Sequence, residues 1–177
     1  DLGSHAIDLL FWFLGRLEKV VGCSRILYPC RPDRNGQKVS VEVEDYALML
    51  ARLKNGATGS IEVSKVAAGS EDDLGYELYG TGGAIRYRSM EPNFLQVFDA
   101  RSGEGFTAWP TVQRYRESSF PGPKFSIGWV RGHIHAIYCF LKAVHQGQPA
   151  SPSLSEGLYN TRVIEAVKRS EQTGRWE

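Results

Sequence analysis

Apolar positions along this chain follow two different periods, and the switches between them divide it into helical and β-rich regions. Residues 4–14 are apolar almost without a break, and Gly15, a favoured residue just past a helix end, closes the run. A helix of that character is expected to be buried. Short β-rich runs follow at 20–28, 41–53, 57–66, 76–79, 84–88 and 93–99. Between them, Asn35-Gly36, Asn55-Gly56 and Gly80-Thr81-Gly82-Gly83 are turn chemistry, and Lys54-Asn55-Gly56 between two long runs predicts a hairpin. Connections this short require antiparallel neighbours, because parallel strands need crossovers of about a dozen or more residues. Residues 101–127 are rich in Gly, Pro, Ser and Arg and read as one long loop. A helix returns at 129–146, where Val130, Ile134, Ile137, Leu141 and Val144 form one stripe expected to be buried. Ser153 with Glu156 makes a capping box for a last helix, whose Tyr159, Val163, Ala166, Val167 and Ser170 share a face and which Gly174 ends.

The pattern predicts an α+β domain spanning residues 1–177, an open, mainly antiparallel β-sheet with helices packed on one face. Two terminal helices cover only one face of a sheet this wide. Yet Tyr76 and Leu78 oppose Tyr79, and Phe94 and Phe98 oppose Leu95 and Val97, so apolar side chains stand on both faces. The second face is expected to meet another subunit or domain, and a homo-oligomer follows as the expectation.

Composition narrows the partners. A chain of 177 residues suits one domain and can bury roughly two-thirds of its unfolded surface. Twenty-one Lys and Arg against twenty Asp and Glu leave a formal charge of +1, so no global field recruits nucleic acid or an anionic membrane. Cys23, Cys30 and Cys139 are odd in number and lack metal-ligand spacing; they read as buried small hydrophobes in a reducing compartment, with the cytoplasm as the expected location. No apolar run approaches the roughly 20 residues of a membrane span. The first residue is Asp1, and the first helix begins with no cap or turn before it, so the chain is expected to be cut from something longer.

On the first helix Asp1, Ser4, His5 and Asp8 are spaced by three and four residues and fall within one narrow polar arc. Two readings are open. An ordinary amphipathic helix shows such an arc to water. Alternatively, a buried helix presents a carboxylate and an imidazole to an enclosed polar cavity, where the carboxylate orients the ring and stabilises its charged form, as a general base near neutral pH requires.

The segment Asp1-Leu2-Gly3-Ser4-His5-Ala6-Ile7-Asp8 resembles the Asp-x-x-x-His-x-x-Asp segment of the glucose-fructose oxidoreductase, inositol dehydrogenase and rhizopine-catabolism (Gfo/Idh/MocA) family. The resemblance continues through Val43-Glu44-Asp45-Tyr46-Ala47, Leu53-Lys54-Asn55-Gly56-Ala57, Gly59-Ser60-Ile61 and Glu77-Leu78-Tyr79-Gly80-Thr81-Gly82-Gly83-Ala84-Ile85, and ends with Glu156-Gly157-Leu158 and Glu165-Ala166. The order and spacing of these segments match the family's C-terminal domain over essentially the whole chain.

By that resemblance His5 is the proton acceptor, and Asp1 supports it and contacts substrate hydroxyls. Asp8 is either a further substrate contact or a helix-stabilising carboxylate. The implied reaction is hydride transfer between a sugar or polyol carbinol and NAD or NADP. The family's Gly-rich phosphate loop and its lysine in a Glu-Lys-Pro run belong to an N-terminal Rossmann domain absent from this sequence, so the cofactor is expected to be bound mainly there. Two alternatives stay open: a glycosidase of the same family that retains NAD, and a non-catalytic assembly module.

Other motifs carry less. Gly80-Thr81-Gly82-Gly83-Ala84-Ile85 has Ile at the sixth position and β-like residues after it, so it is expected to be a hairpin turn and not a dinucleotide site. His133 and His135, two apart on a helix, point about 200° from each other and are not expected to share a metal. Lys65 is either an active-site lysine or a solvated strand end. Arg114, Tyr115, Arg116, Phe120 and Trp129 mix cations with aromatics, a set that stacks on a sugar or clamps a phosphate, or else belongs to an ordinary surface loop. Of these, Tyr115 is the candidate substrate contact.

Overall fold

The computed structural model describes residues 2–112, 126 and 128–177. They form three helices, α1 (Leu2–Leu14), α2 (Trp129–Gln146) and α3 (Leu154–Thr173). The strands are β1 (Leu17–Arg25), β2 (Cys30–Pro32), β3 (Lys38–Ser40), β4 (Tyr46–Leu53), β5 (Thr58–Ser64), β6 (Gly75–Gly80), β7 (Gly83–Arg88), β8 (Phe94–Asp99) and β9 (Thr107–Pro110). All strand pairs are antiparallel, in the ladders β1-β4-β5, β2-β3 and β6-β7-β8-β9. The mixed α and antiparallel β class expected from the pattern is what forms, with the strands shared among three ladders. The chain divides into two compact units, Asp1–Gly69 with Pro152–Glu177, and Ser70–Ser151.

In the first unit, alternation along the central strand sets the core. Met49, Ala51 and Leu53 of β4 are buried, while Leu50 between them is half exposed. Register puts Val20 opposite Ala51 and Ile61 opposite Met49, so those side chains join the same face. Ile7 of α1 and Val163 of α3 close over it, with Tyr159, Ile164, Ala166 and Val167 packed around them. The face foreseen for α3 is therefore the face that packs.

Being first in its ladder, β1 is an edge strand, and its outward amides are occupied. Leu17 N donates to Tyr159 Oη at 2.7 Å, Gly22 N to Ser170 Oγ at 2.9 Å and Ser24 N to Glu171 Oε1 at 3.0 Å. Val20 N donates to Glu177 O at 2.9 Å, and Glu177 N returns the bond at 2.9 Å. Position 22 has to be glycine for α3 to come this close: a Cβ there would lie 2.6 Å from Leu48 O and 2.8 Å from Val167 Cγ1.

The expected boundaries shift where side chains intervene. The run at 41–53 becomes a strand only at Tyr46, because Asp45 turns the chain by accepting the amides of Leu27 and Tyr28 at 3.0 Å each. Asn35-Gly36 lies in a small hairpin between β2 and β3, strands too short for the pattern to reveal. Within the expected loop at 101–127, Thr107–Pro110 pairs with β8, and Trp109 stands opposite Leu95. The hairpin at Lys54-Asn55-Gly56 forms as foreseen, with Leu53 N donating to Ala57 O at 2.8 Å.

Three burial expectations are corrected. Ile7 is the buried residue of α1, and Trp12 and Phe13 are exposed, since the ladder covers one side of the helix. On α2, Val130, Ile137, Leu141 and Val144 are exposed and Ile134 is half buried: the helix forms, but among the described residues most of its stripe is left uncovered. Cys30 is exposed and Cys23 and Cys139 are half buried; β1 turns Cys23 opposite Leu48, away from the helices.

Two measurements check these forces. Ser170 is 1% exposed, and Ser170→Ala leaves the Gly22 amide without its acceptor. Chemical denaturation should show a loss of about 1–3 kcal/mol, and an unchanged midpoint would refute the edge account. The second concerns the cap of α3. The Ser153 hydroxyl, then the Ser153 amide, hold the Glu156 carboxyl down to about 2 from an ordinary 4.5. A depressed carboxyl stabilises the fold above the unfolded value, and that contribution is lost as pH falls from about 4.5 through about 2. Glu156→Gln keeps the capping geometry but does not titrate, so it should flatten the pH dependence of unfolding in that window.

Candidate active site

The polar arc of α1 is present, and its orientation follows from the packing of Ile7. Two residues apart on a helix, His5 and Ile7 point about 200° from each other. With Ile7 driven into the core, His5 is exposed. Ser4 and Asp8 are half buried beside it, and Asp1 lies outside the described residues. Asp8 Oδ1 accepts a hydrogen bond from Asn160 Nδ2 of α3 at 3.1 Å. Further along, Phe11 packs on the Tyr159 ring at 4.9 Å, and the Arg16 guanidinium lies over both rings. Helix α1 is thus locked to α3 along its length, and the lock fixes which way the arc faces.

One cavity of the first unit, about 290 Å³, is lined from α1 by Leu2, Gly3 and Ile7, and neither His5 nor Asp8 is part of its wall. The floor is apolar, made by Met49, Ile61, Val63, Ile164 and Val167, and polar groups stand at Lys65, Lys168 and Glu171. Lys65 is exposed, directly follows β5, and its backbone amide donates to Asp45 O at 2.8 Å. It shares this cavity with Ile61, Val63 and Ser64 of β5. The structure therefore brings Lys65 to the first turn of α1 across one cavity, on the side of the helix opposite His5.

Two carboxylates near this cavity are held ionised. The amide of Tyr28 first, then that of Leu27 and the Arg31 guanidinium, hold the Asp45 carboxyl below the usual carboxylate range despite its burial. The Ser24 hydroxyl and amide, with Arg25 at 2.9 Å, do the same for Glu171. The Glu171 knot ties β1 to α3, and the Asp45 knot ties the segment after β1 and Arg31 of β2 to the start of β4. Asp45 stands inside a segment that carried the family resemblance. Asn160 was missed, because a single amide among the polar positions of a helix gives no pattern; its one sequence signal is its place next to Tyr159 on the packed side of α3.

Elsewhere, Gly80-Thr81-Gly82-Gly83 joins β6 to β7 as a hairpin, with Gly80 opposite Gly83. A Cβ on Gly83 would sit 2.1 Å from Phe98 O, so close strand approach explains that glycine. With a strand following it, the turn offers no helix N-terminus to a pyrophosphate. On α2, His133 packs against Trp129 at 4.3 Å and His135 Nε2 lies 3.4 Å from Cys139 Sγ, so the two rings serve different neighbours. Arg114, Tyr115, Arg116 and Phe120 lie outside the described residues.

Comparison with known proteins gives this geometry its setting. The family described as "Oxidoreductase family, C-terminal alpha/beta domain" matches residues 1–176. Levoglucosan dehydrogenase of Pseudarthrobacter phenanthrenivorans is 27% identical over 99% of the chain and 50% of its own length. Glucose-6-phosphate 3-dehydrogenase of Bacillus subtilis is 23% identical over 93% of the chain and 45% of its own length. Among solved structures, a levoglucosan dehydrogenase in complex with NADH and L-sorbose is similar with a TM-score of 0.92 at 29% identity, covering 100% of the chain and 49% of that protein. The chain spans about half the length of the curated relatives it matches.

Proposed function

The chain belongs to the oxidoreductase family whose C-terminal alpha/beta domain it matches, and from that premise we propose that it is the substrate-facing half of an NAD- or NADP-dependent sugar or polyol oxidoreductase. The observation that carries this reading is the exposed His5 on a polar arc of an otherwise apolar helix, in a chain similar to half of a dehydrogenase that holds NADH and a sugar. A nicotinamide held mainly by an N-terminal Rossmann domain would supply the hydride chemistry.

This chain's own residues handle the proton. In the oxidative direction the imidazole of His5 accepts the carbinol hydroxyl proton while the carbinol C–H leaves as hydride, so the alcohol becomes a carbonyl and loses two electrons. Asp1 orients the ring and stabilises the imidazolium that forms. Asp8 and Tyr115 are assigned to substrate hydroxyls; Lys65 lines the cavity on the other side of α1 from His5 and is not assigned to the same carbinol. Holding base and carbinol in one geometry is the main physical contribution available to such a wall.

The same reading includes self-association. On the side of the first ladder away from the helices, Val21 stands opposite Leu50 and Cys23 opposite Leu48, and Leu50 is half exposed. A second copy of this face would remove those side chains from water. No helix among the described residues is long and apolar enough to cross a membrane; the cytoplasm is the proposed location.

In the complete enzyme, His5→Ala should lower the oxidation rate by about 10²- to 10⁴-fold. The rise of rate with pH through the neutral range should vanish with it. Steady-state kinetics across pH check both; an unchanged rise with His5 gone would assign the proton to another group. Free sugar released from a glycoside without net reduction of NAD would favour the glycosidase chemistry over the dehydrogenase.

A further inference from the structure

Asn160 occupies a position where an apolar residue would pack. It lies on the packed side of α3, between Tyr159, whose hydroxyl holds the Leu17 amide, and Val163 in the core. It is 8% exposed. Its Nδ2 donates to Asp8 Oδ1 at 3.1 Å, while its Oδ1 is buried and has no hydrogen-bond partner among the described residues. Turning the amide over would aim its oxygen at the Asp8 carboxylate, oxygen against oxygen, so the carboxylate itself fixes which end points where. Its donor end pairs with a carboxylate while its acceptor end finds no donor among the described residues, so the two ends of the amide pull stability in opposite directions.

What the amide does accomplish is directional. It is a donor from α3 to a carboxylate one turn along α1 from His5, on the same arc. Held from the neighbouring helix, Asp8 keeps its negative charge in one place relative to the imidazole instead of sweeping through its rotamers.

We propose that Asn160 is a positioning residue for the carbinol oxidation, acting through Asp8; the proposal rests on the dehydrogenase reading above. Its role is to fix the carboxylate that borders the His5 side of the substrate wall.

The experiment compares Asn160→Leu, Asp8→Asn and the double variant in the complete enzyme, by thermal melting and by kcat and KM for an oxidised sugar or polyol. Asn160→Leu removes the unpaired oxygen together with the donor to Asp8, so melting serves to show that the variant is folded at the assay temperature. Its kcat should fall on the order of 10- to 100-fold with KM moving less than about threefold, the signature of misplacement and not of lost binding. The double variant should lose no more than the worse single one, since the two residues act as a unit. Should Asn160→Leu fail to fold, Asn160→Ala is judged by the same kcat and the same cycle. A kcat within about twofold of wild type, or losses that simply multiply, would overturn the proposal. A wild-type enzyme that oxidises no carbinol overturns the dehydrogenase reading and this one with it. An active wild type that needs His5 but tolerates Asn160→Leu overturns this one alone.

Discussion

The outer edge of β1 is the constraint on which the first unit depends. An edge strand exposes a row of unpaired amides, and such a row either recruits another chain or must be covered. Here α3 and the C-terminal Glu177 cover it, through Tyr159, Ser170, Glu171 and the Glu177 backbone. These contacts fall at intervals set by the strand on one side and the helical turn on the other. The helix therefore cannot slide along β1 without leaving buried donors unpaired. Gly22 makes the contact close enough to work, since no other side chain fits beneath Val167.

From that docking the orientation of the candidate site follows. Once α3 is fixed on β1, its Val163 helps define the pocket that receives Ile7, and its Tyr159 and Asn160 hold Phe11 and Asp8. Helix α1 is left with one rotation about its axis. In that rotation the apolar side of its first turns borders the cavity, and the imidazole of His5 is turned outward. On the proposed function, an outward-facing His5 suits a domain that builds one wall of a substrate site.

Local chemistry made part of this legible in the sequence. Asn55-Gly56 marks a hairpin because the turn it forms needs those residues, and Ser153 with Glu156 marks a helix start because both side chains satisfy amides within one turn. The polar arc was visible as spacing alone. What stayed hidden depends on contacts distant in sequence. Asp45 ends a run that alternation would have continued, because its carboxylate reaches back to Leu27 and Tyr28. Thr107–Pro110 becomes a strand only because β8 is there to pair with it. The stripe on α2 was correctly periodic, yet period does not say what covers it, and Val130, Ile137, Leu141 and Val144 are exposed. Asn160 matters through a partner 152 positions away, a distance no spacing rule spans.

On the proposed reading, α1 presents a proton acceptor to a carbinol whose hydride leaves on the far side. A crystal structure of the complete protein with an oxidised nicotinamide cofactor and a bound sugar or polyol tests it most directly. The proposed proton transfer requires an imidazole nitrogen of His5 within about 2.6–3.2 Å of a substrate hydroxyl oxygen, with the nicotinamide facing the carbon that bears it. A sugar seated elsewhere, with His5 left in solvent and no hydroxyl within reach, would contradict it.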